Sequence, residues 1–465
     1  MEPLPLRWAL VLLGLVLHLA PISSTVAQNA DADGTFRFGV DQCITYALKH
    51  RKEALTKRID LDKAHQDVRL YTSSGYPQVN AAGTFSHNLK VQVFPIPASF
   101  VGGPAGEFFF VEAAPKNSVS GGITVSQLGF DGTFFIGLKA AKEYVRLAEA
   151  EVRLTDANVA ADVSKTYYAV LVSLERIRLL ESSIQQIEAL RKDTKALVDN
   201  GFAEKLDLDR IQVTLTNTQT ELDKVRQLII QNYNLLKFQM GMDIGARLLL
   251  TDRLDRSDFN PQLTDTTATM DMKRRAEFRV LEQGIIMQDL AIRREKAAYW
   301  PTLYFNGNLS TQTFGERADE LWETNRQWFA FSTVGFTLSV PIFNGYRTAA
   351  LVEKEKLERL KLNHERRQLE QLVSFEVANA RSGLQNALRT LENQRRNVEL
   401  AQEIYRITKI KYEEGVGSNL EVVTADAERN AAQSNYVNAL LEAYIARIDL
   451  QRAMGTLYDP YQTNP

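Results

Sequence analysis

The chain has 465 residues, 45% hydrophobic and 24% charged, so a wholly disordered polymer is excluded. Lys and Arg total 55 against 57 Asp and Glu, a formal net charge of −2, without the basic excess of a nucleic-acid-binding protein. The one cysteine, Cys43, excludes an intrachain disulfide and any multi-cysteine metal site.

In chain order, the first element is an export signal over residues 1–27. Arg7 supplies a short positive segment, Trp8 to Ala20 is apolar, and Thr25-Val26-Ala27 offers a cleavage site before Gln28. The apolar run is too short for a membrane span, and no later run reaches 18 apolar residues. Cys43 lies well past the cleavage point, so no lipid is expected on the mature N-terminus.

The remainder repeats itself once. Tyr76-Pro77 answers Trp300-Pro301, a shift of 224, and Gly122-Ile123-Thr124-Val125-Ser126 answers Gly335-Phe336-Thr337-Leu338-Ser339, a shift of 213. Phe130-Asp131-Gly132 answers Phe343-Asn344-Gly345, Gly201 answers Gly415, and Met240-Gly241 answers Met454-Gly455. The loop between the strands is therefore longer by 11 residues in copy one. Repeat 1 is assigned to 28–241, an inter-repeat linker to 242–269, repeat 2 to 270–455 and a tail to 456–465.

Each copy reads helix, strand, strand, long helix, helix. The expected helices are 43–74, 133–200 and 204–241, then 270–298, 346–414 and 419–455; prolines and glycines end them. The expected strands are 79–93, 118–128, 302–314 and 328–340, where apolar and uncharged polar residues alternate. One face carries Val79, Phe85, Val119, Ile123, Val125, Leu303, Phe305, Leu309, Val334, Phe336 and Leu338; the other carries Thr84, Ser86, Ser120, Thr124, Asn306, Asn308 and Thr337. A small soluble sandwich is one way to bury the apolar face. A membrane β-barrel is the other, with the first set toward lipid and the second lining a lumen. Aromatics at segment ends (Phe94, Phe108, Phe109, Phe110, Trp300, Trp328, Phe329) suit an interfacial girdle. Four strands cannot close a barrel, so a barrel demands an oligomer.

The long helices carry a period of seven: Val377, Leu384, Leu391, Val398, Tyr405 and Tyr412, matched by Val163, Val170, Ile177, Ile184, Arg191 and Val198. Sustained heptads mean coiled-coil packing, and the helix over 133–200 would be about 100 Å long.

With the twofold repeat, the Tyr-Pro and Trp-Pro strand entries, Phe-Asp-Gly, Phe-Asn-Gly and the turn Tyr412-Glu-Glu-Gly415 before Leu420-Glu421-Val422-Val423, the chain resembles the TolC-like family of outer-membrane exit ducts. The resemblance implies an α+β membrane protein. Three chains would share one transmembrane β-barrel, four strands each, continuous with a coiled-coil α-barrel in the periplasm. It implies a passive channel for drugs, toxins or secreted substrates, in the outer membrane of a Gram-negative-type envelope. Its partners would be itself as a homotrimer, a periplasmic adaptor, an inner-membrane transporter and outer-membrane lipid. The 242–269 linker and the tail would form an equatorial belt.

By position, Glu421 falls where the family rings its periplasmic constriction with acidic residues, and Thr424 occupies the second acidic position. The family's closing network maps onto Asp207, Tyr412 and Gly417, where the expected arginine is missing. The plainer roles are a capping carboxylate for Asp207 and a solvated face for Glu421. No nucleophile elbow, phosphate loop or paired-histidine motif stands in the chain, so no enzyme, cofactor or metal is expected. Cys43 reads as a small core residue. The alternative class is a periplasmic coiled-coil scaffold without a pore.

Overall fold

The computed structural model of the chain describes residues 34–112, 114–254 and 271–458. The expected signal segment, most of the linker and most of the tail lie outside the described residues.

The elements run β1 (Thr35–Phe38), α1 (Val40–His50), α2 (Lys52–Ser73), β2 (Gln78–His87), β3 (Val93–Pro97), β4 (Phe108–Glu112), β5 (Asn117–Phe130), α3 (Gly132–Asp199), α4 (Lys205–Met240) and β6 (Arg247–Leu250). The second half runs α5 (Ala276–Ala297), β7 (Thr302–Gly315), β8 (Phe329–Ser339), α6 (Arg347–Glu413) and α7 (Asn419–Met454). Among the described residues no helix is long and apolar enough to cross a membrane.

Two rods organise the helices. α3, of 68 residues, is paired along its length by α2 and α4, of 22 and 36 residues. α6, of 67 residues, is paired in the same way by α5 and α7, again of 22 and 36. The expected heptads face inward: Val163, Val170, Val377 and Leu384 are buried, and the one polar position, Arg191, is exposed. Asp131 starts α3 by accepting the Thr133 backbone N–H at 2.7 Å, a carboxylate cap on the first turn.

The expected helix 43–74 is in fact two helices, broken at Arg51, whose ψ of 127° is extended. The break is made by α4. Gly241 ends α4 at φ +69°, and a Cβ there would lie 2.5 Å from the His50 carbonyl oxygen. Copy two repeats the arrangement. Gly455 ends α7 at φ +69° with its α-carbon against Arg274, and Arg275 (ψ 125°) precedes α5. Only glycine meets both demands, a left-handed backbone and near-contact with another main chain.

The guanidinium after each break is held alike. Arg51 pairs with Glu53 at 2.7 Å and Asp162 at 3.2 Å. Arg275 pairs with Glu277 at 3.1 Å and Glu376 at 2.8 Å, and donates to the Ala453 carbonyl at 2.9 Å. These residues are related by the same internal shift as the rest of the repeat.

A parallel pair that periodicity did not reveal, β1 with β6, packs Phe38 and Leu248 onto a core of Cys43, Val163, Tyr167, Val170 and Met240. Leu248 belongs to the segment read as linker. Cys43 is a core residue, as expected, and burial pushes its thiol up to about 12.

The four long strands form one antiparallel sheet in the order β2-β5-β7-β8. The first strand stops at His87 rather than continuing to 93. Its partner β5 begins at Asn117, and Pro115 just before it has no N–H to extend the ladder. Leu89, which continued the alternation in sequence, is fully out in solvent. Residues 93–112 make a separate hairpin, β3 with β4. Phe94, Phe108, Phe109 and Phe110 therefore sit on that hairpin and do not belong to a girdle at the ends of the sheet.

Gly241→Ala should lower the thermal unfolding midpoint far more than Gly201→Ala. Gly201 also has positive φ but open space around it. The left-handed penalty alone is about 1 kcal/mol, and the backbone clash at 241 adds about as much again. Equal shifts by circular dichroism would remove the junction from this role.

Candidate functional site: the helical tip and the two-faced sheet

The tip is where the two helical turns meet. α3 gives way to α4 through Gly201, and α6 to α7 through Gly415. Beneath the turns lies a small core of Ile187, Leu190, Ile211, Leu215 and Val422, closed by Tyr405 and Tyr412, so both copies contribute.

The expected Asp207–Tyr412 contact is replaced by other pairings. Asp207 stands in the first turn of α4, where a carboxylate is favoured by the helix dipole, and Arg210 one turn on is 3.6 Å away. The Tyr412 hydroxyl instead meets Thr194 Oγ1 on α3 at 3.3 Å. The link to Asp207 runs through its backbone: the Asn419 side-chain amide donates to the Asp207 carbonyl at 3.0 Å. Gly417 cannot stand in for the missing arginine by repacking. A Cβ there would lie 3.1 Å from the Tyr412 backbone nitrogen, so the turn is closed around its bare α-carbon.

A third link was not foreseen. Asp426 and Arg429 on α7 form a buried ion pair at 2.5 Å, only 4% and 7% exposed. Arg429 also reaches Gln186 on α3 and lies over the Tyr405 ring of α6, 4.2 Å from its centroid. Asn430 donates to the other Asp426 oxygen at 3.0 Å. Burial raises the Asp426 carboxyl above its ordinary range, and the facing guanidinium opposes the shift. The only sequence signal was a charged pair three apart on a helix otherwise rich in alanine.

Glu421 and Thr424 are both exposed, on the side of α7 away from this core. Ser418 caps the turn by accepting the Glu421 N–H at 3.3 Å. Glu428 is exposed as well, one heptad beyond Glu421, and adds a second acid to the same stripe.

The sheet has two chemically different faces. Strand register aligns Phe85 with Val119, Ile123 with Leu309, Phe305 with Phe336, and Leu303 with Leu338; Val79, Val125 and Val334 share that side. Thr84 aligns with Ser120 and Thr124 with Asn308, while Ser86, Asn306 and Thr337 share the opposite side. Polar groups there bond across strands: Asn306 donates to Thr337 at 3.2 Å and accepts from Ser126 at 3.3 Å. The division of residues between faces agrees with the alternation read from sequence. Phe329 departs from its expected girdle role, because it falls on the polar side.

A family model described as outer membrane efflux protein matches residues 43–242 and 272–456. The chain is 22% identical over 422 residues to the probable efflux pump outer membrane protein TtgC of Pseudomonas putida, covering 90% of this chain and 82% of that one. It is 19% identical to the outer membrane protein TolC of Vibrio cholerae, covering 94% and 95%. In fold it resembles the open-state MtrE outer membrane channel of Neisseria gonorrhoeae, with a TM-score of 0.69 at 16% identity over 91% of each chain.

Replacing Arg429 with Met should cost about 3–5 kcal/mol, because it leaves the Asp426 charge buried and unpaired. The double variant Arg429→Met/Asp426→Leu should recover most of the loss. A lone buried Asp426 keeps a raised folded pKa, so its cost is full above that raised value and fades as pH falls from there toward the unfolded value. Arg429→Met should therefore be closer to wild type at pH 5 than at pH 8 in denaturant titrations. A deficit independent of pH would show the loss to be one of packing.

Proposed function

The chain belongs to the outer membrane efflux protein family, and on that footing we propose that it is the passive exit duct of an efflux pump. The observation that carries this reading is the sheet. Its apolar face is largely exposed, its other face is mostly polar, and its edge strands β2 and β8 have no further strand partner among the described residues. Such a sheet in water would be an aggregation site. Three copies, joined β2 to β8, close a 12-strand barrel with lipid outside and water within. The strands, of 10 to 14 residues, have the length for a tilted crossing of the hydrocarbon layer.

The helical rods then extend the passage into the periplasm, where an adaptor protein and an inner-membrane transporter engage it. Transport energy comes from the transporter. The tip is the gate: Tyr412–Thr194, Asn419–Asp207 and Arg429–Gln186 each tie a copy-two helix to a copy-one helix. Opening moves the exposed stripe of α7 outward, at the cost of one or more of these ties. Glu421 and Glu428 from three chains ring the constriction and draw cations.

Two measurements test the reading. Light scattering of the mature protein extracted in detergent should give a trimer. Val334→Lys, on the apolar face, should abolish insertion of that trimer, at about 2–4 kcal/mol per site at the membrane midplane. Thr333→Lys, on the polar face, should leave it intact. A soluble monomer, or equal tolerance of both lysines, would remove the barrel. For the gate, Glu421→Gln should lower the cation preference of the pore in bilayer recordings and weaken block by divalent cations. Unchanged selectivity would return Glu421 to an ordinary solvated position.

A further inference from the structure

The polar face of the sheet is not polar to its end. Register pairs Phe331 with Ser310, Phe329 with Gln312, and Phe314 with Ser118, and strand parity puts all three rings on the side of Asn308 and Thr333. They cluster at the end of the sheet farthest from the helices. Phe314 and Phe329 are 6.0 Å apart between centroids, and Phe329 and Phe331 remain 47% and 46% exposed. On the opposite face at this level Thr313 and Ser332 stand beside Val119, Phe85 and Leu309, so that face is mixed. The otherwise polar face is thus aromatic at this end of the strands.

The loop that follows β7 does not cover the rings. It folds onto the other face, where Thr313 Oγ1 donates to the Gln327 carbonyl at 2.9 Å and Leu321 is buried beside Gly315. Open aromatic faces therefore look into the side assigned above to the lumen. Successive same-face side chains on a strand stand about 7 Å apart. Phe329 and Phe331 so leave a slot for one flat ring in contact with both.

We propose that Phe314, Phe329 and Phe331, repeated three times around the barrel, form an aromatic collar near the outer mouth that binds flat aromatic and apolar solutes leaving the duct. The proposal rests on the duct reading. A solute in the lumen must pass the collar, and ring-on-ring contact there favours aromatic over polar cargo at the last step before release.

The test compares block of the reconstituted trimer by phenyltrimethylammonium and tetramethylammonium, which share a charge and differ by a phenyl group. Wild type should be blocked by the phenyl ion at about three- to tenfold lower concentration. Phe329→Ser/Phe331→Ser should erase the preference. Phe329→Leu/Phe331→Leu, which keeps apolar volume without a π face, should erase most of it. No preference in wild type, or a preference that survives both pairs, overturns the collar. Loss of the trimer in the Ser pair, with no preference in wild type, would give the rings to a neighbouring copy and also overturn it. Asn308→Cys, lower on the same face, separates this from failure of the duct reading. The native Cys43 is buried, so a charged thiol reagent reads the new site. A conductance change on labelling supports the lumen assignment on which the collar depends. A silent Asn308→Cys sinks that assignment itself.

Discussion

Each long helix needs two shorter partners that meet end to end, and that meeting point is the constraint on which the fold turns. A single straight partner would leave no place for the chain to enter and leave the sheet. The junction is made by a glycine in a left-handed conformation, Gly241 or Gly455, set against the peptide before an arginine, Arg51 or Arg275. The arginine then gathers two carboxylates from different helices. Because Arg275 is 5% exposed, its pairs cannot be exchanged for water without leaving a buried charge. The duplicated junction sets the same register between long and short helices in both halves, and the sheet and the tip take their positions from it.

The sheet has a different physical basis. Its strands are stabilised by ladders and cross-strand pairs within the chain, yet among the described residues most of both faces stays open, apart from the patch around Thr313 and Leu321 at the far end. A hydrophobic surface of this kind is stable only against hydrocarbon or another copy. The polar side matches that demand, since Ser, Thr and Asn satisfy one another across strands without introducing charge. Among relatives known as outer membrane efflux proteins, such a surface has an evident use. The aromatic rings of Phe314, Phe329 and Phe331 interrupt that polar side at its far end.

At the tip, polar side chains do work that apolar packing cannot. Val422, Ile187 and Ile211 would hold the four helices together in many rotational settings. Asn419, Thr194 and Gln186 accept only one, because each reaches a specific partner across the interface between copies. The buried Asp426–Arg429 pair lies within α7 and moves with it; what a rotation of the helices would break is the reach of Arg429 to Gln186 and to the Tyr405 ring.

The sequence by itself determined the duplicated plan, the long helices, the four main strands and the side of the sheet on which each strand residue falls. These follow from periodicities of seven and two and from glycines and prolines at element ends, all local in the chain. Nearest-neighbour order cannot report what a distant segment does. The break at Arg51 exists because Gly241 arrives there, almost two hundred residues later. The β1–β6 pair needs two four-residue segments too short to show a period. Leu89 and Val91 kept the alternation going with no strand to receive them. Position along the chain points to Asp207 and Tyr412, but which hydroxyl or amide lies within hydrogen-bonding distance is decided by the rotation of helices about one another. That rotation is set by packing across the whole rod, so only the folded chain brings Thr194, Asn419 and Arg429 to their partners at the tip.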